Sequence, residues 1–288
     1  MSGKYRSLAA LLLLPLLLAS CIRLPSDGGD ETGEGNGGDK KPPSYHENMT
    51  YQYQTEVDED VLMTDLSAAY LVLANKSSPV GEDYTPEDLV ALSSAVIASW
   101  HQATGLLLDA CAAAALYEML DEMRAAGVTD ICVTSAYRSY ARQQQLYETY
   151  LARELATISE DAYRALGYSY IKTNYLDAGK SKLSYADAAR VVLSYSAYPG
   201  TSEHQTGLCV DFITDEMGGE LTEAFEESAA FAWLSKNAYK FGFILRYPKG
   251  KEGVTGYTYE PWHYRFVGRE AATDIYCSGL TLEQYLEK

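Results

Sequence analysis

The sequence predicts an α+β domain with a small, mostly antiparallel sheet and flanking helices. Helix-periodic and strand-like segments alternate along the chain without an internal repeat. Most of these segments carry their own start or stop residue, which fixes where each one ends. Of 288 residues, 47% are hydrophobic and 22% charged, enough for a core and unlike a disordered chain.

Taken in order, the apolar-periodic run Leu106–Ala126 predicts a buried helix closed by Gly127, which suits the left-handed position after a helix. Asp130–Thr134 reads as a short strand. Ser139 then caps a helix running through Gln145 and Tyr150. Ser184, with Asp187 three residues on, resembles a capping box for a helix through Tyr195. Leu208–Ile213 reads as a strand, and Thr222–Lys240 as an amphipathic helix stopped by Gly242. Phe243–Tyr247 and His263–Val267 are strand-like, and Thr281 with Gln284 opens a last short helix.

Ahead of this domain, Lys4 and Arg6 precede an apolar run from Leu8 to Leu18 and then Ala19-Ser20-Cys21. These are the parts of a signal peptide over residues 1–20, and the run is shorter than the roughly 20 apolar residues a bilayer span needs. Leu18-Ala19-Ser20-Cys21 resembles a bacterial lipobox, which implies a lipid on Cys21, a membrane anchor and an extracytoplasmic location. Residues 21–50 follow as a tether: Ser26 to Pro43 holds six Gly, several acids and Pro42-Pro43 with no apolar period. About 30 flexible residues give a root-mean-square reach of roughly 30 Å. The domain proper is 51–288.

The formal net charge is −17, of which −16 falls within 51–288. Such a surface disfavours a nucleic-acid partner, which needs cations against phosphate. The chain is expected to act as a monomer. Beyond Cys21, the cysteines Cys111, Cys132, Cys209 and Cys277 fit no CxxC metal pattern. They read equally as two disulfides or as small buried hydrophobes.

Only four histidines are present, His46, His101, His204 and His263. His46 reads as solvated in the tether, and His101, beside Trp100 at the end of an apolar helical stretch, as structural. His204 and Asp211 are seven residues apart, so one straight strand would put them on opposite faces. A bend at Thr206-Gly207 resolves this, with His204 on a loop and Asp211 on the strand that follows. Glu260-Pro261-Trp262-His263 contains a proline that rules out a helical two-histidine arrangement and reads as a turn entering a strand. Two imidazoles and one carboxylate form a three-ligand set that leaves a tetrahedral corner for water, as catalytic zinc requires. Glu260 is then free for proton transfer. Arg138, in Ser135-Ala-Tyr-Arg-Ser139, offers a guanidinium able to grip a carboxylate or oxyanion with two parallel hydrogen bonds.

These three blocks, Ser-x-Tyr-Arg-Ser at 135–139, Ser-x-His-x6-Asp at 202–211 and Glu-x-x-His at 260–263, resemble those of the VanY-type zinc D-alanyl-D-alanine carboxypeptidases and related bacterial L,D-carboxypeptidases (peptidase family M15). Leu73-Ala-Asn-Lys76, Pro79 and Asp83-Tyr84-Thr-Pro86 extend the likeness upstream, so it covers about Leu66 to Lys288. The resemblance implies a Hedgehog/DD-peptidase-like fold and one zinc ion held by His204, Asp211 and His263. It also implies Glu260 as catalytic base, Arg138 as substrate or transition-state clamp, and Ser202, Tyr137 and Gln145 lining the pocket. The implied reaction removes the terminal D-alanine from a peptidoglycan stem peptide. A non-catalytic wall-binding module and a peptidoglycan endopeptidase are the alternatives. Cys209 departs from the small apolar residue usual in relatives and reads as a buried, inert thiol, the alternative being a residue that crowds the metal or a redox-sensitive neighbour on the Asp211 face.

Overall fold

A computed structural model describes residues 44–62, 68–96 and 105–287. The signal peptide, Cys21, most of the tether and His101 lie outside them. Strand β1 (Leu89–Ala91) pairs antiparallel with β2 (Leu107–Asp109), which leads directly into helix α1 (Ala110–Ala125). After β3 (Cys132–Ser135) come α2 (Tyr140–Ala156), α3 (Glu160–Leu166) and α4 (Tyr185–Tyr195). Next are β4 (Cys209–Ile213), α5 (Ala229–Asn237), β5 (Phe243–Leu245), β6 (His263–Phe266), α6 (Arg269–Ser278) and α7 (Leu282–Leu286). The main sheet has the order β3-β4-β6-β5 with every pair antiparallel, as the α+β reading expects.

The caps fall where the sequence puts them. Ser139 and Ser184 accept from Arg142 N and Asp187 N, and Thr281 with Gln284 forms a complete reciprocal capping box. Two helices differ from expectation. Leu107–Asp109 is strand rather than helix, because Asp109 caps α1 by accepting from Cys111 N and Ala112 N while β1 takes up the preceding backbone. An apolar run carries no mark of that partner. The Thr222–Lys240 segment is likewise broken. Ser228 is an internal N-cap accepting from Phe231 N, with 3-10 turns at Glu223–Glu227 and Ala238–Phe241 on either side of α5.

One core joins sheet and helices, with Leu108, Leu116, Met119, Met123, Val133, Val210, Phe212, Phe243, Tyr264 and Phe266 buried together. At about 1.5–3 kcal/mol for each large side chain removed from water, this cluster fixes the sheet on α1. A second cluster, including Tyr147, Leu151, Ile171, Tyr175, Val191 and Val192, holds α2, α3 and α4 together beside it. His46 is a correction. It sits in a 3-10 turn (Tyr45–Asn48) and is held by α6, its backbone N donating to Asp274 Oδ1 at 3.1 Å and its Nδ1 lying 3.0 Å from Oδ2. Among the described residues no two cysteines are joined by a disulfide, and no helix is long and apolar enough to cross a membrane.

Candidate active site

The register of the main sheet assembles the site. Asp211 of β4 stands opposite both Ser135 of β3 and His263 of β6. His204 arrives from the 3-10 turn Glu203–Thr206, and Gly207 (φ +69°) reverses the chain into β4, the bend that the seven-residue spacing demanded. His263 follows a turn in which its N donates to Glu260 O at 3.2 Å, so Glu260 and His263 come together at the mouth of β6.

His204, Asp211 and His263 are buried and converge. Asp211 Oδ2 lies 3.1 Å from His204 Nε2, and Asp211 Oδ1 lies 3.0 Å from His263 Nδ1. The rings cross at 86° with centroids 5.1 Å apart. The other nitrogen of each imidazole faces a protein oxygen. His204 Nδ1 is 2.6 Å from Ala136 O, and His263 Nε2 faces Glu203 Oε2 at 3.5 Å. The inner nitrogens are therefore the ones aimed at Asp211, as in metal sites whose histidines are oriented from behind. Glu260 Oε2 is 3.6 Å from His263 Nδ1.

Charge and burial act together on this cluster. Burial works against charge on His204, yet Cys209 and Asp211 overcome it and hold the imidazole up at about 9. Asp211 is held well below the usual carboxylate range by His204 and His263, against its own burial. Burial pushes Glu260 up to about 7, with Asp211 adding to the rise and His263, His204 and Arg138 opposing it. Both oxygens of the buried Asp211 carboxylate thus face the two inner nitrogens. Two inner nitrogens and a carboxylate between them suit a divalent ion of zinc type.

Cys209 also lies against this cluster. It is buried on the same face of β4 as Asp211, and its Sγ forms a candidate metal-binding group with the nitrogens of His204 and His263, all within 4.8 Å of one another.

The site opens into a cleft of about 500 Å³ lined by Arg138, Ser202, Tyr247, Tyr257, Glu260 and Trp262, with Leu146, Tyr150 and Arg153 of α2 forming one wall. Arg138 Nη2 donates to Ser202 Oγ at 3.3 Å and its backbone N to His204 O, which ties both residues to the histidine turn. Gln145 is exposed on another face of α2, where it accepts from Arg142, and half-buried Tyr137 is not among the cleft residues. The helical period explains the exchange: 146, 150 and 153 share a face that 145 does not.

Sequence reading missed the support beneath the site. Glu203 Oε1 accepts from Arg246 Nε and Arg265 Nη1, both at 2.7 Å, and all three side chains are fully buried. Arg246 also donates from Nη1 to Glu283 Oε2 at 2.9 Å, and Arg265 Nη2 to Tyr70 O and Val72 O. The available signal was Glu203 itself, an acid inside the Ser-x-His block.

Comparison with known proteins identifies the family. Residues 105–269 match the VanY family, described as D-alanyl-D-alanine carboxypeptidase. A D-alanyl-D-alanine carboxypeptidase of Enterococcus faecalis is 34% identical over 264 residues, covering 92% of this chain and 79% of the relative. The LdcB LD-carboxypeptidase structure superposes with a TM-score of 0.58 at 36% identity, over 75% of this chain and 85% of that one. A vancomycin-resistance D,D-pentapeptidase VanY variant solved in complex with Zn(II) gives 0.55 at 35% identity, over 76% and 99%. The chain belongs to the VanY family of D-alanyl-D-alanine carboxypeptidases.

Proposed function

We propose that this chain is a zinc-dependent carboxypeptidase that releases the terminal D-alanine of peptidoglycan stem peptides, and that it works outside the cytoplasm, anchored by a lipid on Cys21. The observation that carries the reading is the buried convergence of His204, Asp211 and His263 beside Glu260 at the floor of a cleft. His204 Nε2, Asp211 and His263 Nδ1 would hold the ion, which supplies Lewis acidity to the scissile carbonyl and to an attacking water.

The remaining chemistry belongs to the chain. Glu260, with its affinity for a proton raised toward neutrality by burial, takes the proton of the attacking water and returns it to the leaving amine nitrogen. Arg138, fixed through Ser202, presents a guanidinium in the cleft to the terminal carboxylate of the peptide. Glu203, clamped by Arg246 and Arg265, keeps His263 turned so that Nδ1 faces inward. A carboxylate set beside the cluster, Glu260 Oε2 3.6 Å from His263 Nδ1, favours the enzyme over a wall-binding module without turnover.

Defined pentapeptide and tetrapeptide stems, incubated separately with the protein before and after chelation, test this reading. Release of D-alanine from one or both stems, lost on chelation and restored by zinc, is the expected result. The stem cleaved identifies D,D or L,D preference. Binding without release, or an internal cut, would replace the proposal with one of its alternatives.

A further inference from the structure

Strand β4 presents Asp211 and, two residues earlier, Cys209 on one face, because side chains alternate along a strand. Cys209 is fully buried, and its Sγ lies within 4.8 Å of a ring nitrogen of His204 and of His263. Around a tetrahedral ion, with nitrogen at about 2.0–2.1 Å and sulfur at about 2.3 Å, neighbouring donors stand roughly 3.6 Å apart. A movement on the order of 1 Å therefore brings the sulfur into the same shell. The oxygen side supplies a second observation. Both carboxylate oxygens of buried Asp211 face the inner ring nitrogens, Oδ2 at 3.1 Å from His204 Nε2 and Oδ1 at 3.0 Å from His263 Nδ1, so three donors already converge on one point. The two imidazoles thus face two third donors, a hard carboxylate oxygen and a soft sulfur, and soft thiolate is the better match for zinc.

We propose that Cys209 is a fourth metal donor of this site: its thiolate closes the coordination of an ion held by His204, Asp211 and His263 when the cleft is empty, and an entering peptide displaces it. The inference rests on the metal-site reading given under Proposed function. Closure forms one metal–sulfur bond and releases the thiol proton to solvent. Opening reverses both, with no change in oxidation state. Structural sites are closed and catalytic sites keep an open position. Cys209 lets a single site be the first at rest and the second during turnover, retaining its ion between encounters.

Cobalt(II) loaded into the full chain gives the test a readout separate from catalysis. Tetrahedral cobalt shows visible ligand-field bands, and a thiolate ligand adds a near-ultraviolet charge-transfer band. The wild type is expected to show both, and a D-alanyl-D-alanine peptide to weaken the near-ultraviolet band. Cys209→Ala should keep the visible bands, lose the charge-transfer band and bind cobalt roughly 10- to 100-fold more weakly, the range associated with losing a partner of a metal site. The comparison also separates Cys209 from the chain's other thiols. Visible bands in the wild type without the near-ultraviolet band would overturn the proposal and leave the three-donor site standing. Absence of both bands, with His204→Ala indistinguishable from wild type, would remove the metal site and this inference with it. Should the alanine variant fail to fold, Cys209→Ser makes the same comparison, and a wild-type spectrum without the near-ultraviolet band overturns the proposal by itself.

Discussion

Glu203→Gln probes the buried support of the site with little change in shape. In the wild type, one oxygen accepts two charge-assisted hydrogen bonds at 2.7 Å from Arg246 and Arg265, in surroundings without solvent. Removing the charge of one partner in such a network costs about 3–5 kcal/mol, because the remaining cations stay buried and uncompensated. Glu283 still bonds Arg246, which places the expectation toward the lower end, about 3 kcal/mol. The pH dependence has a definite sign. Burial raises Glu203, but Arg246 and Arg265 outweigh it and hold the folded carboxyl well below its ordinary value of 4.5. A depressed carboxyl stabilises the fold fully above its unfolded value and loses that contribution as pH falls toward its folded value. The gap between wild type and Glu203→Gln, measured by urea unfolding of chelator-treated protein, should be full at neutral pH and shrink only below about 4.5. The same variant frees His263 Nε2 from its carboxylate, so zinc affinity should drop about 10- to 100-fold. A stability loss under 1 kcal/mol at neutral pH together with unchanged zinc affinity would refute the assignment of Glu203 as the keystone of the site.

Glu260→Gln should retain zinc, measured by elemental analysis, while D-alanine release falls about 10²- to 10⁴-fold, the usual contribution of a positioned acid–base group. Near-normal turnover would show that another group moves the proton. Arg138→Lys keeps the charge but loses the planar fork, and forfeiting one charged hydrogen bond worth about 1.5–3 kcal/mol predicts a drop in kcat/KM of about tenfold or more. An amidated peptide should be insensitive to the change, so equal losses on acid and amide would contradict the carboxylate contact. Gly207→Ala forces alanine to φ +69° and sets its Cβ 2.7 Å from Leu89 Cδ2. About 1–2 kcal/mol of backbone cost plus the clash should lower thermal stability and separate His204 from Asp211; a fully stable, fully active variant would refute the bend.

Much of the site was legible because its chemistry uses few residue types at fixed local spacings. His204, Asp211, Glu260 and His263 sit in short blocks, and the odd separation of His204 from Asp211 already required the turn that Gly207 makes. Helix starts at Ser139, Ser184 and Thr281 were legible for the same reason, since a cap acts within three residues. Where the signal was long-range, reading failed. Leu107–Asp109 is a strand only because Leu89–Ala91 lies beside it, and Gln145 leaves the cleft to Leu146, Tyr150 and Arg153 because the packing of α2 chooses its face.

Sequence alone determined which side chains could take part in chemistry, where the chain bends between them, and that the domain is acidic and mixed in secondary structure. Only the tertiary structure decided that β4 and β6 pair with Asp211 opposite His263, that Glu203 is clamped between two buried arginines, and that the Cys209 sulfur faces both imidazoles. The physical reason is range. Caps, turns and strand alternation are set by neighbours a few residues away, whereas register and burial are set by residues tens of positions distant, whose meeting is decided by the packing of the whole core.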